Sequence, residues 1–310
     1  MLNQLKLLRN RYLASKRRKK QAQIYYNLIG RHILPDEAAN ELICQTILTN
    51  KPAFITRFGS SEMATLIFYL NSRAGLAIND WNEHYRQILC DVSGFFPFTQ
   101  EAMDEFAQTY FSFLPNIDIL AVWNVGEENV APYLSQQIRL INLPSVEPYY
   151  FSNPWSQSLA GKKVLVIHPF SESILQQYKR RTKIFQNKDV LPLFDLQVIK
   201  AVQTVADNTQ GFHTWFEALN HMCMEIEKRD FDIAIIGAGA YGMPLANFVK
   251  TKIGKIAIHM GGATQLLFGI KGKRWEQFPK VKVLYNEFWV NPSAAERPIG
   301  LEKVEGGSYW

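Results

Sequence analysis

Cysteine is scarce. Cys44, Cys90 and Cys223 are the three in 310 residues, and they lie far apart. Such thiols form neither a disulfide framework nor a metal-ligand cluster, and they suit a reducing compartment. Long apolar runs are also missing. No stretch approaches the roughly 18 consecutive apolar residues of a membrane-spanning helix, and the N-terminus lacks an apolar core of signal-peptide length. Internal repeats and low-complexity linkers are absent, which argues against a solenoid or a string of small modules. Together these absences predict a cytoplasmic globular protein.

What is present supports a sizeable core, with 47% apolar and 20% charged residues. The 34 basic residues exceed the 28 acidic ones by 6, and much of that excess is local. Lys6, Arg9, Arg11, Lys16, Arg17, Arg18, Lys19 and Lys20 precede the first acid, Asp36. The remainder is close to neutral, so no nucleic-acid partner is expected, because such binders spread basic surface across the fold. Residues 1–30 are predicted as a basic helical appendage in which Leu2, Leu5, Leu8, Tyr12 and Leu13 share a face. Through residues 1–22 such a helix can lie on an anionic membrane, placing the protein peripherally on the inner face of the plasma membrane. Packing on its own domain or on a partner is the alternative.

Residues 31–310 are predicted as one α/β domain with a Rossmann-like, mostly parallel sheet flanked by helices. Its organising stretch is Phe231–Trp275. Ile-rich Phe231–Ile236 reads as a buried strand, followed by Gly237, Gly239 and Gly242 and then a helix. Ile256–His259 reads as the next strand, followed by Gly261 and Gly262 and another helix from about Ala263. Further strands are predicted at 52–57, 117–123, 139–143, 164–167, 196–200 and 281–286. In such sheets, ligands sit at the carboxyl ends of the strands. The residues expected there are Arg57, His168, Ser171, Lys200, Gln203 and the two glycine turns. Ser60 or Ser61 is expected to cap the helix that follows Arg57, with Glu62 in its first turn, and Ser171 to cap another. Tyr149 to Phe151 and Trp155 offer aromatic surface on which an acceptor could stack.

The glycines match GxGxxG, but the dinucleotide reading needs an acid about 20 residues on to hold a ribose. His259-Met260-Gly261 stands there instead, so no NAD is expected. A nucleotide or other phosphate-bearing ligand is the preferred reading, set against glycines that serve only turns and packing.

Four blocks carry a family likeness: RFGSSE at Arg57–Glu62, GAGAYGMPLA at Gly237–Ala246, HMGGATQLLFGIKGKRW at His259–Trp275 and YNEFWV at Tyr285–Val290. From about residue 50 onward the chain resembles the GT-D-fold glycosyltransferases, specifically their GT-D-like relatives. The resemblance implies transfer of a sugar from a nucleotide-diphosphate sugar onto a growing surface polysaccharide or glycoprotein glycan, including a lipid-linked glycan acceptor. It also implies an Asp-x-Glu after Arg-Phe-Gly that holds Mg2+ or Mn2+. Here Ser60 replaces the aspartate and Glu62 matches the glutamate, which leaves metal dependence open and keeps a non-catalytic sugar-nucleotide-binding subunit as the alternative; an NAD-dependent oxidoreductase, resting on GAGAYG, is the lesser rival.

On this reading Gly237, Gly239, Tyr241 and Gly242 shape the donor pocket, with Tyr241 stacking on the base. His168, Ser171 and Gln203 bind diphosphate or ribose, and His259, Gly261, Gly262 and Gln265 form the adjoining loop. Arg57 binds phosphate, with Lys200 or Lys271 as further sources of positive charge. Glu62 is the metal ligand or an acceptor-positioning carboxylate, and Glu62 or Glu287 is the catalytic base.

Overall fold

Apolar runs without alternation belong to strands covered on both faces, and this chain uses them so. The computed structural model describes residues 25–27, 29–76, 81–205, 208–298, 300–303 and 306–310. The basic stretch 1–22, with its membrane reading, lies outside the described residues. Eight strands form one sheet: β1 (Ile33–Leu34), β2 (Ala53–Thr56), β3 (Ile119–Val122), β4 (Arg139–Asn142), β5 (Lys163–His168), β6 (Asp195–Lys200), β7 (Ile233–Ile236) and β8 (Ile256–His259). Their order is β1-β4-β3-β2-β8-β7-β5-β6. Every pairing is parallel. The fold is therefore Rossmann-like α/β, with a sheet that is parallel throughout. β2, β3, β7 and β8 are buried at every residue, whereas β6 is an edge strand and only partly covered.

Helices cover both faces. Those used below are α1 (Asp36–Thr49), α2 (Ser60–Arg73), α3 (Gln100–Phe113), α4 (Ser171–Lys179), α5 (Trp215–Glu227), α6 (Gly242–Phe248) and α7 (Thr264–Leu267). On one face, Leu66, Phe106, Trp215 and Leu245 from α2, α3, α5 and α6 pack against Phe54, Leu120, Leu165 and Ala234. On the other, Ile43, Ile174 and Leu266 from α1, α4 and α7 pack against Ile55, Ile119, Val166 and Ile235. Alternate side chains of each strand serve opposite layers, the period-2 geometry of a pleated strand.

This layering fixes where a ligand can enter. β5 leads into α4 on one face, while its neighbour β7 leads into α6 on the other. β8 leads into α7, while its neighbours β2 and β7 lead into helices of the opposite layer. Connections that diverge from adjacent strands open a crevice at the strands' carboxyl ends. The register aligns those ends, with Ile236 opposite His259 and His168 opposite Lys200.

Three local expectations are corrected. The segment 281–286 is not a strand. Pro279 starts the short helix Pro279–Lys282, consistent with its preset φ and missing N–H, and Val283 is exposed. Ser171 is the first residue of α4 and supplies no cap. Instead the Glu296 carboxylate accepts from the N–H groups of Glu172 (2.8 Å) and Ser173 (3.2 Å) and from the Ser173 hydroxyl. A distant acid thus satisfies a helix start whose own sequence offers no cap. Neither Ser60 nor Ser61 caps α2, for which Gly59 is the N-cap residue. The aromatic tail docks as its composition predicts, with Trp310 buried and its indole N–H on the Glu296 carbonyl.

Glu296→Ala should lower stability by about 1–2 kcal/mol, the scale of a lost cap, in urea unfolding. In a double-mutant cycle with Ser173→Ala the two losses should not add, because the residues share one network.

Candidate functional site

The first wall of the crevice is built from the turn after β2. The Phe58 carbonyl accepts from Trp123 Nε1 (2.8 Å), Asn124 Nδ2 (2.8 Å) and Arg57 NH1 (3.2 Å). Asn124 in turn accepts from the Ser60 hydroxyl at 2.9 Å. The end of β3 therefore straps the Arg57–Glu62 turn, and Ser60 is part of the strap. Glu62 is buried and folds back over Gly59, where a side chain would overlap its carboxylate. The acid in the first turn is thus turned back over the start of α2. Burial pushes the Glu62 pKa up, while the Arg57 charge and its own backbone N–H oppose the rise.

Arg57 lies between that turn and the loop after β8. Its guanidinium carbon is 6.0 Å from the Trp123 ring centroid. Its tip lies against Gly261, where any side chain would overlap it, and Gly261 has a φ of +66° that disfavours other residues. His259 faces Thr56 Oγ1 through Nδ1 at 3.0 Å. Its Nε2 is buried beside Gly242 and finds no partner among the described residues. Burial first, and then the Arg57 charge, hold the His259 pKa well below normal, so the ring is neutral.

The second wall meets the first at Gly237. A Cβ there would lie 2.6 Å from the Gly261 carbonyl oxygen, 2.7 Å from His168 Cδ2 and 2.8 Å from Thr264 Oγ1. The turns after β5, β7 and β8 therefore touch across a residue with no side chain. His168 is buried, and burial pulls its pKa down to about 3. Its Nδ1 accepts from the Phe170 N–H at 3.0 Å, which leaves the ring proton on Nε2. Thr264 Oγ1 is a second buried polar atom with no partner among the described residues.

Arg57, Glu62, His168, Gly237, His259 and Gly261 thus form one connected cluster. Gly239 is exposed at the start of the turn Gly239–Tyr241, whose other two residues are buried. Other candidates are committed elsewhere. Tyr241 is turned inward, stacked on Trp215 at 4.8 Å and 9°, with its hydroxyl 2.7 Å from Thr204. Its ring face is occupied, which corrects the expectation that it stacks on a base. Gln265 Nε2 reaches the carbonyls of Lys271 (2.9 Å) and Tyr309 (3.1 Å), and the Tyr309 ring covers Gly262. Ser171 is half-buried at the start of α4. Lys200 is exposed on the edge strand, and half-buried Gln203 follows it. Glu287 is exposed in a turn whose neighbours, Asn286 and Phe288, bond Ile184 and Gln177. An open groove of about 580 Å3 lined by Tyr69, Arg73, Gln108 and Phe111 shares no residue with the cluster.

Residues 149–267 match the family model of the GT-D fold-like domain. No curated protein and no solved structure matches the chain. The GT-D-like match relates the fold to glycosyltransferases. It spans β5 to β8 with both glycine turns and includes His168, Gly237, His259 and Gly261. Arg57–Glu62 and Tyr285–Val290 lie outside it, so the likeness in those blocks rests on their sequence alone.

Sequence reasoning passed over Trp123, Asn124, Glu127 and Glu147. The first two look like ordinary residues after a strand, and only the fold shows them holding the Arg57 turn. Glu127 sits behind them, fully buried. Its Oε2 accepts from the Trp123 N–H at 2.9 Å, while Oε1 has no partner among the described residues. Burial outweighs the backbone hydrogen bonds and raises its pKa from 4.5 to about 8.

Between about pH 4.5 and 8 the folded chain keeps a proton on Glu127 that the unfolded chain has released. Stability contributed by this residue therefore falls as pH rises through that window. Glu127→Gln should flatten the fall in urea unfolding compared at the two ends of the window. Gly261→Ala should cost about 1–3 kcal/mol and displace Arg57, detectable as a lowered Tm together with changed Trp123 fluorescence.

Proposed function

We propose that this chain is a glycosyltransferase that moves a sugar from a nucleotide-diphosphate sugar onto a growing surface polysaccharide or glycoprotein glycan. The observation that carries the reading is the GT-D-like match lying on a crevice where one guanidinium and several neutral polar groups converge. As the glycosidic bond of the donor breaks, negative charge collects on the diphosphate, and fixed groups must stabilise it. Arg57 is the cation at that place. His168, neutral with its proton on Nε2, is a hydrogen-bond donor that adds no charge. His259 Nε2 and Thr264 Oγ1, both buried without partners, are the polar atoms a bound donor would satisfy. Gly237 and Gly261 let the turns after β5, β7 and β8 and the Arg57 guanidinium pack closely beside these atoms.

A divalent cation is the family expectation, and the donor set can be tested against it. Glu62 is one carboxylate, its ionised form is disfavoured by burial, and Ser60 is bonded to Asn124. Among the described residues no group of three or more His, Cys, Asp or Glu is gathered for a metal. Hard cations take several oxygen ligands, usually including ionised carboxylates. The residues here do not fit a dedicated Mg2+ or Mn2+ site, and in this reading Arg57 carries the charge compensation. The same substitution at Ser60 favours the second reading, a sugar-nucleotide-binding subunit without catalysis. A lipid-linked acceptor and membrane attachment through residues 1–22 belong to the proposal as partners.

The test is a thermal-shift and calorimetric screen of nucleoside diphosphates and their sugars, with Mg2+, with Mn2+ and with a chelator. One diphosphate should bind, with little change on chelation. Arg57→Ala should weaken it about 10- to 100-fold, the scale of a lost charge-assisted contact of about 1.5–3 kcal/mol. No binding by the folded protein would sink the reading. Binding only with metal would sink the role given to Arg57.

A further inference from the structure

A carboxylate outside the donor cluster lies on the same edge of the sheet, past the carboxyl end of β4. Glu147 follows the turn Leu143–Val146 at the end of β4 and precedes the turn Pro148–Tyr150. It is half-buried, unlike the deeply buried Glu62 and the exposed Glu287. Its Oε2 accepts from the Tyr149 hydroxyl at 2.8 Å. Tyr149 is buried and its ring lies parallel to that of Phe185, at 6.3 Å and 4°, so the hydroxyl is held in place. Tyr150 packs edge-on against Tyr149 at 4.8 Å, and its backbone N–H donates to the Glu147 carbonyl at 3.3 Å. The positive charge that Glu147 feels is that of Arg57.

The fourth polar group is the hydroxyl of Tyr285, from the YNEFWV block. It is buried with no partner among the described residues, and it acts electrostatically on Tyr149 and Tyr150. Its ring packs on Trp289 at 4.9 Å, and Lys271 Nζ sits 5.4 Å from its centroid. A buried hydroxyl without a partner marks a place where a polar ligand group fits.

We propose that Glu147, held by the Tyr149 hydroxyl, is the base that takes the proton of the acceptor hydroxyl, with Tyr285 as a hydrogen-bonding partner of that acceptor. The inference rests on the glycosyltransferase reading. In the step, the acceptor O–H proton passes to the Glu147 carboxylate and the acceptor oxygen bonds the anomeric carbon. The bond from that carbon to the diphosphate oxygen breaks, and its electron pair leaves with the nucleoside diphosphate. Attack opposite the leaving group inverts the anomeric configuration. Burial lifts the Glu147 pKa to about 6, against the pull of both tyrosines and Arg57. A carboxylate poised near neutrality is a competent base. Glu62 is folded over its own helix start and Glu287 is exposed, so neither carboxylate is held as Glu147 is.

The test uses the full chain and whichever UDP-, GDP- or dTDP-sugar gives the largest thermal shift, with water as acceptor and release of nucleoside diphosphate as the readout. Wild-type kcat should fall on the acid side of about pH 6, and the released sugar should be inverted by NMR. Glu147→Gln should lower kcat about 100-fold or more, abolish that acid limb and leave donor affinity within about twofold. Tyr149→Phe should move the limb to higher pH, because it removes a hydrogen bond that favours the carboxylate. If Glu147→Gln misfolds, Glu147→Ala with formate rescue of kcat supplies the same evidence. Retention of configuration, or a Glu147→Gln enzyme that keeps kcat and the acid limb, overturns the assignment and leaves the donor site standing. Donor binding without turnover supports the non-catalytic reading and overturns the base alone. Absence of donor binding overturns both.

Discussion

The contact between the Arg57 guanidinium and the Gly261 backbone is the constraint on which the site depends. It joins the turn after β2 to the turn after β8, neighbouring strands whose helices leave on opposite faces. No side chain fits at Gly261, and the positive φ there favours glycine independently. Behind Arg57, the Phe58 carbonyl collects donors from Trp123, Asn124 and Arg57 itself, so the charged group rests on a turn that is fully bonded. Holding a guanidinium in advance lowers the reorganisation needed when an anion arrives.

Burial then determines the chemistry of the neighbours. His168 and His259 are kept neutral because a charged ring away from water is costly. Glu62 and Glu127 are pushed towards their protonated forms for the same reason. Among the described residues, the cluster thus combines the Arg57 guanidinium with several neutral polar groups.

The C-terminal segment is part of the same construction. Glu296 stands in for the missing cap of α4, Trp310 donates to the Glu296 carbonyl, and Tyr309 covers Gly262. Gln265 ties the β8 turn to that tail. Residues that sequence reasoning offered to a ligand, such as Gly262 and Gln265, are used here to hold one loop against another. Glycine and amide side chains serve both purposes, and only the neighbours decide between them.

The sequence by itself determined a mostly parallel sheet, because Ile-rich runs such as 233–236 and 256–259 call for cover on both sides. It also determined that Arg57, His168 and the two glycine turns end strands, since strand ends follow from where an apolar run stops. Tertiary structure decided the rest. Whether Tyr241 faces a ligand or Trp215, whether 281–286 pairs or coils, and which acid caps α4 all depend on partners tens to hundreds of residues away. Glu147 was passed over for that reason, because the buried packing that holds its partner Tyr149 against Phe185 is a matter of tertiary structure.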